Sequence, residues 1–337
     1  MARKKDVTIR LIADECGVST ATVSRVINCD PKVSEATRRK VTDSLIKNNY
    51  VIPDTEKKPS ASVPKIGVIL TAVNVSYYNS LLDHITMHFL DQGICTITCN
   101  TDRRAGALPR AIEALYTSGV SGIIFISSDY NSIESLLRPD IPSVWIDCND
   151  SGPDVKNICQ VQSDQYASGQ LAAQELINSG CRKPIIITGV DLSHRSRSRI
   201  AGFRNIFEKS GITFQDDQLI LLPTIQHPFT ECRDMVQYLI TKGFSFDGIF
   251  ASNDWRALGA VIAVQNSGIK MPDQIRIIGF DGISIAANSI LRITSIQQNT
   301  ALLARNACDL LEKQQRKEDI PVKSIIVPPH LVVGQTT

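Results

Sequence analysis

Polar and charged residues recur in this chain directly after apolar runs. Asp147 closes Val144-Trp145-Ile146, Asn253 and Asp254 follow Phe250-Ala251-Ser252, and Asp281 follows Ile277-Ile278-Gly279-Phe280. Carboxylates and amides at such positions can pair with the hydroxyls of a small polar molecule, because open α/β sheets present ligands to the carboxyl ends of their strands. The same residue types also cap the helix that follows a strand, and for Asp254 capping is the preferred reading. The run His194-Arg195-Ser196-Arg197-Ser198-Arg199 adds three guanidinium groups, which pair well with carboxylate and phosphate. A solvated basic loop is the competing reading for Arg195 and Arg197. Trp255 could cover an apolar ligand face or seal its helix against a sheet.

A different chemistry is written into residues 7–28, VTIRLIADECGVSTATVSRVIN. Ile9, Ile12, Ala13 and Cys16 recur at the spacing of one helical face. Gly17 ends that helix, since glycine alone takes a left-handed backbone cheaply, and Ser19 caps a second one. There Val23, Val26 and Ile27 point inward, while Thr20, Ala21, Ser24, Arg25 and Asn28 fall on the other side. Small and hydrogen-bonding residues around one arginine fit a DNA major groove, where Arg25 can donate two bonds to a guanine. A surface hairpin with a polar outer face would show the same pattern.

The elements that must position these residues divide the chain. Residues 51–64, VIPDTEKKPSASVP, carry three prolines and read as a linker. Beyond it, strand-like runs at 66–71, 95–100, 122–127, 142–147, 184–189, 219–222, 248–252, 275–280 and 294–297 alternate with helical stretches. The helices are predicted at 78–92, 107–118, 165–178, 199–209, 230–242 and 258–267. Apolar strands alternating with helices imply parallel sheets covered on both faces. We therefore expect a headpiece over 1–50, a linker over 51–64 and an α/β core over 65–337.

Charge follows the same division. Net charge is +2, but residues 1–65 carry 13 Lys/Arg against 8 Asp/Glu, so the basic end is the one suited to phosphate. The nine cysteines form no CxxC or zinc pattern and read as reduced thiols of a cytoplasmic protein. The N-terminus lacks the apolar stretch of a signal peptide, and no apolar run is long enough to span a membrane. There is no P-loop, no G-x-G-x-x-G after a strand, no G-x-S-x-G and no HExxH. The expectation is a non-enzyme without cofactor or metal.

The headpiece resembles that of the lactose/galactose repressor family of bacterial transcriptional regulators. The likeness runs through Val7-Thr8-Ile9, Gly17-Val18-Ser19, Thr22-Val23-Ser24-Arg25-Val26, Asn28 and Val33-Ser34-Glu35-Ala36-Thr37-Arg38-Arg39-Lys40-Val41 to Tyr50. It continues through Asn100-Thr101-Asp102, Gly119-Val120-Ser121-Gly122-Ile123-Ile124, Asp164 with Gly169 and Ala172, Gly202-Phe203, Asn253-Asp254 and Ile278-Gly279-Phe280-Asp281. The resemblance implies a small all-α helix-turn-helix headpiece and a two-lobed, periplasmic-binding-protein-like α/β core with two parallel sheets. It places the chain crossings near 160, 292 and 327, so that one lobe holds about 65–160 and 293–327 and the other about 161–292 and 328–337. A third headpiece helix would be capped by Ser34 and buried through Val41, Leu45 and Ile46.

The implied function is a sequence-specific DNA-binding regulator, a repressor, controlled by a carbohydrate-type effector: a sugar, sugar acid or sugar phosphate. The alternative is a solute-binding protein without a role in transcription. Thr20, Ala21 and Arg25 would read bases of double-stranded operator DNA, with Thr8, Thr22, Ser24, Asn28 and Ser34 fixing the helix on phosphates. Tyr77, Asp147, Arg195, Arg199, Asn253, Trp255 and Asp281 would hold the effector. The family's leucine hinge is replaced by Pro59-Ser60, which predicts weaker operator bending. With no heptad tail after Leu331-Val332-Val333, a homodimer is expected.

Overall fold

The computed structural model describes residues 8–27, 30, 32–48, 50, 63–128, 130–148, 158–190, 192–223, 227–288 and 291–337. Asn28 and the Pro59-Ser60 hinge lie outside the described residues. The chain divides into two units, Met1–Ser62 and Val63–Thr337.

The first unit contains α1 (Ile9–Cys16), α2 (Thr20–Ile27) and α3 (Glu35–Lys47). Each starts on a hydroxyl. Thr8, Ser19 and Ser34 accept from the backbone N–H of Leu11, Thr22 and Thr37, which satisfies amides that helix geometry leaves open. Gly17 closes α1 at φ 61°. Ile12, Ala13, Cys16, Val23, Val26, Val41 and Leu45 form the core. Ile46, expected to face inward, is 69 % exposed. Positions 41, 44, 45 and 48 share a helical face, so the inward place goes to Ser44, which donates to Glu15 Oε2 at 2.7 Å. Glu15 also accepts from Lys47 and Asn48, and these bonds, that of Lys47 first, draw its pKa down to about 2.

The second unit holds two six-stranded sheets. Its strands in chain order are β1 (Lys65–Leu70), β2 (Cys95–Asn100), β3 (Ile123–Ile126), β4 (Ser143–Ile146), β5 (Cys159–Ser163) and β6 (Pro184–Gly189). Then follow β7 (Leu219–Leu222), β8 (Gly248–Ala251), β9 (Arg276–Asp281), β10 (Thr294–Gln297), β11 (Ser324–Val327) and β12 (His330–Val332). The first sheet has the order β11-β5-β4-β3-β1-β2 and is parallel throughout. The second has the order β12-β10-β9-β8-β6-β7, with only β12 antiparallel.

Helices cover both faces of each sheet, which is why the strands read as continuous apolar runs. Val68 and Leu70 of β1 pack into one core with α4 (Ser76–Leu90) and α11 (Thr300–Gln315). Ile69, the residue between them, packs into another with Phe125, Trp145 and α5 (Ala107–Thr117). In the second sheet Ile185 and Ile187 face α8 (Pro228–Thr241) and α9 (Asp254–Asn266). Ile186 and Phe250 face α6 (Gln165–Asn178) and α7 (His194–Lys209).

The chain passes between the sheets after β5, β10 and β11. The second crossing therefore falls after Gln297 and not near 292, because 294–297 pairs in parallel with β9. Helix caps follow two of the crossings: Asp164 accepts from Ala167 N at 2.8 Å and Asn299 from Leu302 N at 3.0 Å.

Candidate functional site

On α2, Thr20, Ala21 and Arg25 are exposed, while Thr22 and Ser24 are half-buried. Val23 and Val26 face inward at 0 % and 5 % exposure, so the core itself turns Arg25 outward. Thr8 and Ser34 are exposed at the starts of α1 and α3, where their hydroxyls cap the helices and the helix dipoles favour an anion.

A cleft of about 890 Å³ lies between the two sheets of the core. The carboxyl ends of strands from both sheets line it: Thr71, Thr101, Ser127 and Ser128 from the first, Thr188, Ser252, Asn253 and Asp281 from the second. The first turn of α7 supplies more of the wall. Sequence reading began that helix at Arg199, since HRSRS offers no apolar period. Ser193 caps it, accepting from Ser196 N, so Arg195 and Arg199 stand one turn apart on the same face.

Arg195 reaches across the cleft. Its Nη2 donates to Ser127 Oγ at 2.6 Å and its Nη1 lies 3.3 Å from Asp147 Oδ2. Asp147 also accepts from Tyr77 Oη at 2.7 Å and from Ser163 N at 3.2 Å. Tyr78 Oη donates to Ser127 Oγ at 2.8 Å. Ser127, Asp147 and Asp281 hold positive φ of 54°, 51° and 101°, a conformation costly for residues other than glycine and concentrated at functional sites.

On the opposite wall Arg199 lies 3.3 Å from the centroid of Phe280. It donates to Gln165 Oε1 at 2.7 and 3.0 Å and to the Ser252 carbonyl at 3.1 Å. Burial lowers its pKa to about 10, so it stays charged at neutral pH. Asp281 accepts from Gln298 Nε2 at 2.9 Å, and burial raises its pKa to about 7 despite the nearby Arg199. Close helix packing makes this arrangement possible. A Cβ at Gly169 would fall 1.9 Å from the Arg199 carbonyl, and one at Gly202 would fall 2.0 Å from that of Tyr166.

Of the residues expected to hold an effector, Tyr77, Arg195, Arg199, Asn253 and Asp281 line the cleft. Asp147 is 0 % exposed and sits behind the wall, reaching the cleft through Tyr77 and Arg195. Trp255 lies outside the lining, 37 % exposed on the surface side of α9. Asn253, rather than Asp254, caps α9 by accepting from Arg256 N at 2.8 Å. Asp254 is fully buried and accepts from Ser295 Oγ and Ile283 N. Sequence reasoning missed Gln165, Gln298, Ser127, Ser128 and Thr71. Their signal was the same as that of Asp147 and Asp281, a polar residue directly past a strand, but in less distinctive residue types.

An arginine-bearing helix-turn-helix unit, joined in one chain to a two-lobed core with a polar cleft, defines a DNA-binding regulator responsive to a small molecule. Residues 8–53 match the bacterial regulatory proteins of the lacI family, and residues 173–337 match the periplasmic binding protein-like domain. The chain thus carries a segment similar to the lacI-family DNA-binding domain and, after it, one similar to the periplasmic binding protein-like domain. It is 29 % identical over 328 residues to the sucrose operon repressor of Streptococcus mutans, covering 96 % of this chain and 98 % of that protein. It is 27 % identical over 333 residues to the HTH-type transcriptional repressor PurR of Pasteurella multocida, covering 98 % of each. In fold it is similar to the lac repressor dimer bound to operator and the anti-inducer ONPF, with TM-score 0.72, 23 % identity and coverage of 98 % of this chain and 99 % of that one. These relatives are named as transcriptional repressors. Among the described residues no helix is long and apolar enough to cross a membrane.

Proposed function

We propose that this protein is a repressor whose operator affinity is set by a carbohydrate-type effector held between the two core lobes. The cleft carries the reading. At about 890 Å³ it has the size of a small-molecule site, and both walls converge on hydroxyl-pairing groups: Asp281, Asn253, Gln298, Arg195 and Arg199. The relative named as a sucrose operon repressor supports a carbohydrate. Acting on operator DNA places the protein in the bacterial cytoplasm.

Thr20, Ala21 and Arg25 would meet base edges, and Thr8, Thr22, Ser24, Asn28 and Ser34 the phosphates. Thr20 and Ala21 are too short for much direct readout, so specificity leans on Arg25 and on DNA shape. Two headpieces on two half-sites require a homodimer.

Arg25→Ala is expected to abolish discrimination between operator and random duplex while keeping most non-specific binding. Fluorescence anisotropy at fixed salt measures both, and intact discrimination would refute the assignment. For the effector, a thermal-shift screen of sugars, sugar acids, sugar phosphates and nucleobases is expected to return a carbohydrate, because a ligand bound only by the folded state raises the melting temperature. A hit confined to nucleobases would overturn that part.

A further inference from the structure

The cleft is far more basic than a neutral sugar needs. Arg103, Arg104, Arg195, Arg197, Arg199 and Arg256 line it, against Asp281 as the one carboxylate among the described lining residues, with Asp102 and Asp147 paired to Arg104 and Arg195. Among the described residues its tyrosine and phenylalanine rings offer no open face on which a neutral pyranose could stack. Tyr77, Tyr78 and Phe280 are 4 %, 6 % and 1 % exposed, and Arg199 covers the Phe280 ring.

The first lobe builds a polar pocket at one point of this cleft. Strands β2, β1 and β3 are neighbours in that order, with Leu70 paired to Asn100 on one side and to Ile126 on the other. The residues just past these ends are Thr71, the Thr101–Arg104 turn and Ser127-Ser128. Ser128 is 2 % exposed. The hydroxyls of Thr71 and Ser128 are buried in the wall with no hydrogen-bond partner among the described residues. Leaving two such groups unsatisfied costs free energy that a bound acceptor would recover. Arg103 and Arg195 line the same cleft. Arg103 leaves the strand end through a turn with φ 49° and 53° at Asp102 and Arg103, and it has no ion-pair partner among the described residues. Arg195 arrives from the other lobe onto Ser127. Two hydroxyl donors and two guanidinium groups lining one cleft form a set suited to an oxyanion.

We propose that the effector is a carbohydrate bearing an oxyanion, a phosphate ester or a carboxylate, and that Thr71, Ser128, Arg103 and Arg195 receive that group. The inference rests on the reading of the cleft as a carbohydrate site, and its test separates the two.

The full-length protein is titrated with inorganic phosphate, against chloride at equal ionic strength, and with neutral monosaccharides, their 6-phosphates and their aldonic acids. Phosphate is expected to raise the melting temperature of the wild type more than that of Arg103→Gln or Ser128→Ala. General salting-out by phosphate acts on all three proteins alike, so the difference between them is the readout. At least one charged derivative is expected to bind about tenfold or more tightly than its neutral parent, as charge-assisted hydrogen bonds imply. Preference for the 6-phosphates or for the acids tells the two oxyanions apart. Equal phosphate responses in wild type and variants, or a neutral sugar binding as tightly as its charged derivatives, overturns the proposal. Arg103-dependent phosphate binding with no sugar derivative bound keeps the oxyanion site and ends the carbohydrate reading.

Discussion

The guanidinium of Arg199 stacks on Phe280 and donates to Gln165 and the Ser252 carbonyl, so its plane is set before any ligand arrives. The carboxylates around it are prepared differently. Burial, with the neighbouring Asp281 adding to it, raises the pKa of Asp254 to about 8, and burial raises that of Asp281 to about 7. Both folded values lie above the ordinary 3.8. The folded state therefore binds more protons than the unfolded chain between these limits, and the stability they contribute is present below pH ~4 and lost as pH rises through about 7 to 8. Urea denaturation at pH 5 and pH 8 should accordingly find the protein less stable at the higher pH. In Asp254→Asn the difference should shrink, since the amide cannot ionise yet can still accept from Ile283 N. A difference as large as in the wild type would count against a buried, proton-retaining Asp254.

At the scale of elements, the site depends on two helices packed closer than side chains normally permit. Gly169 on α6 and Gly202 on α7 let the two backbones touch, and this contact brings Gln165 to Arg199. Gly202→Ala forces a methyl group against the Tyr166 carbonyl. Overpacking of this kind typically costs ~1–3 kcal/mol, and here it also pulls Arg199 from its partner, so effector binding should weaken beyond what lost stability explains. Chemical denaturation and ligand titration of the same variant would separate the effects. Normal stability with unchanged ligand affinity would show that the helices are free to part. Both glycines stood out in the sequence through the family pattern, whereas their backbone contact did not, because it involves atoms that every residue shares.

At the scale of the whole molecule, an effector between the lobes and an operator at the headpiece must be coupled reciprocally. An effector that changes operator affinity should itself bind with an affinity changed by the same factor when operator is present. Couplings of ~1–3 kcal/mol, or roughly 5–150-fold, are typical. Titrating effector with and without operator DNA measures this factor, and a factor of one would show that the two sites are not coupled.

The sequence by itself determined the elements and their class. Helical spacing around Ile12, Val23 and Val41 marks the headpiece, and continuous apolar runs mark strands buried on both faces, since these patterns are local consequences of 3.6- and 2-residue periods. It also placed Arg25 outward and brought Arg199 and Asp281 into the candidate site. Only the tertiary structure decided which strand ends share one cleft. Thr71, Ser128, Gln165 and Gln298 come from distant segments, and a polar residue of a common type just past a strand is too frequent a signal to single them out. It likewise put Asp147 behind Tyr77, turned Trp255 away and carried Arg195 across to Ser127. Each of these outcomes depends on which neighbour occupies the adjoining space, and that is settled by packing between the lobes.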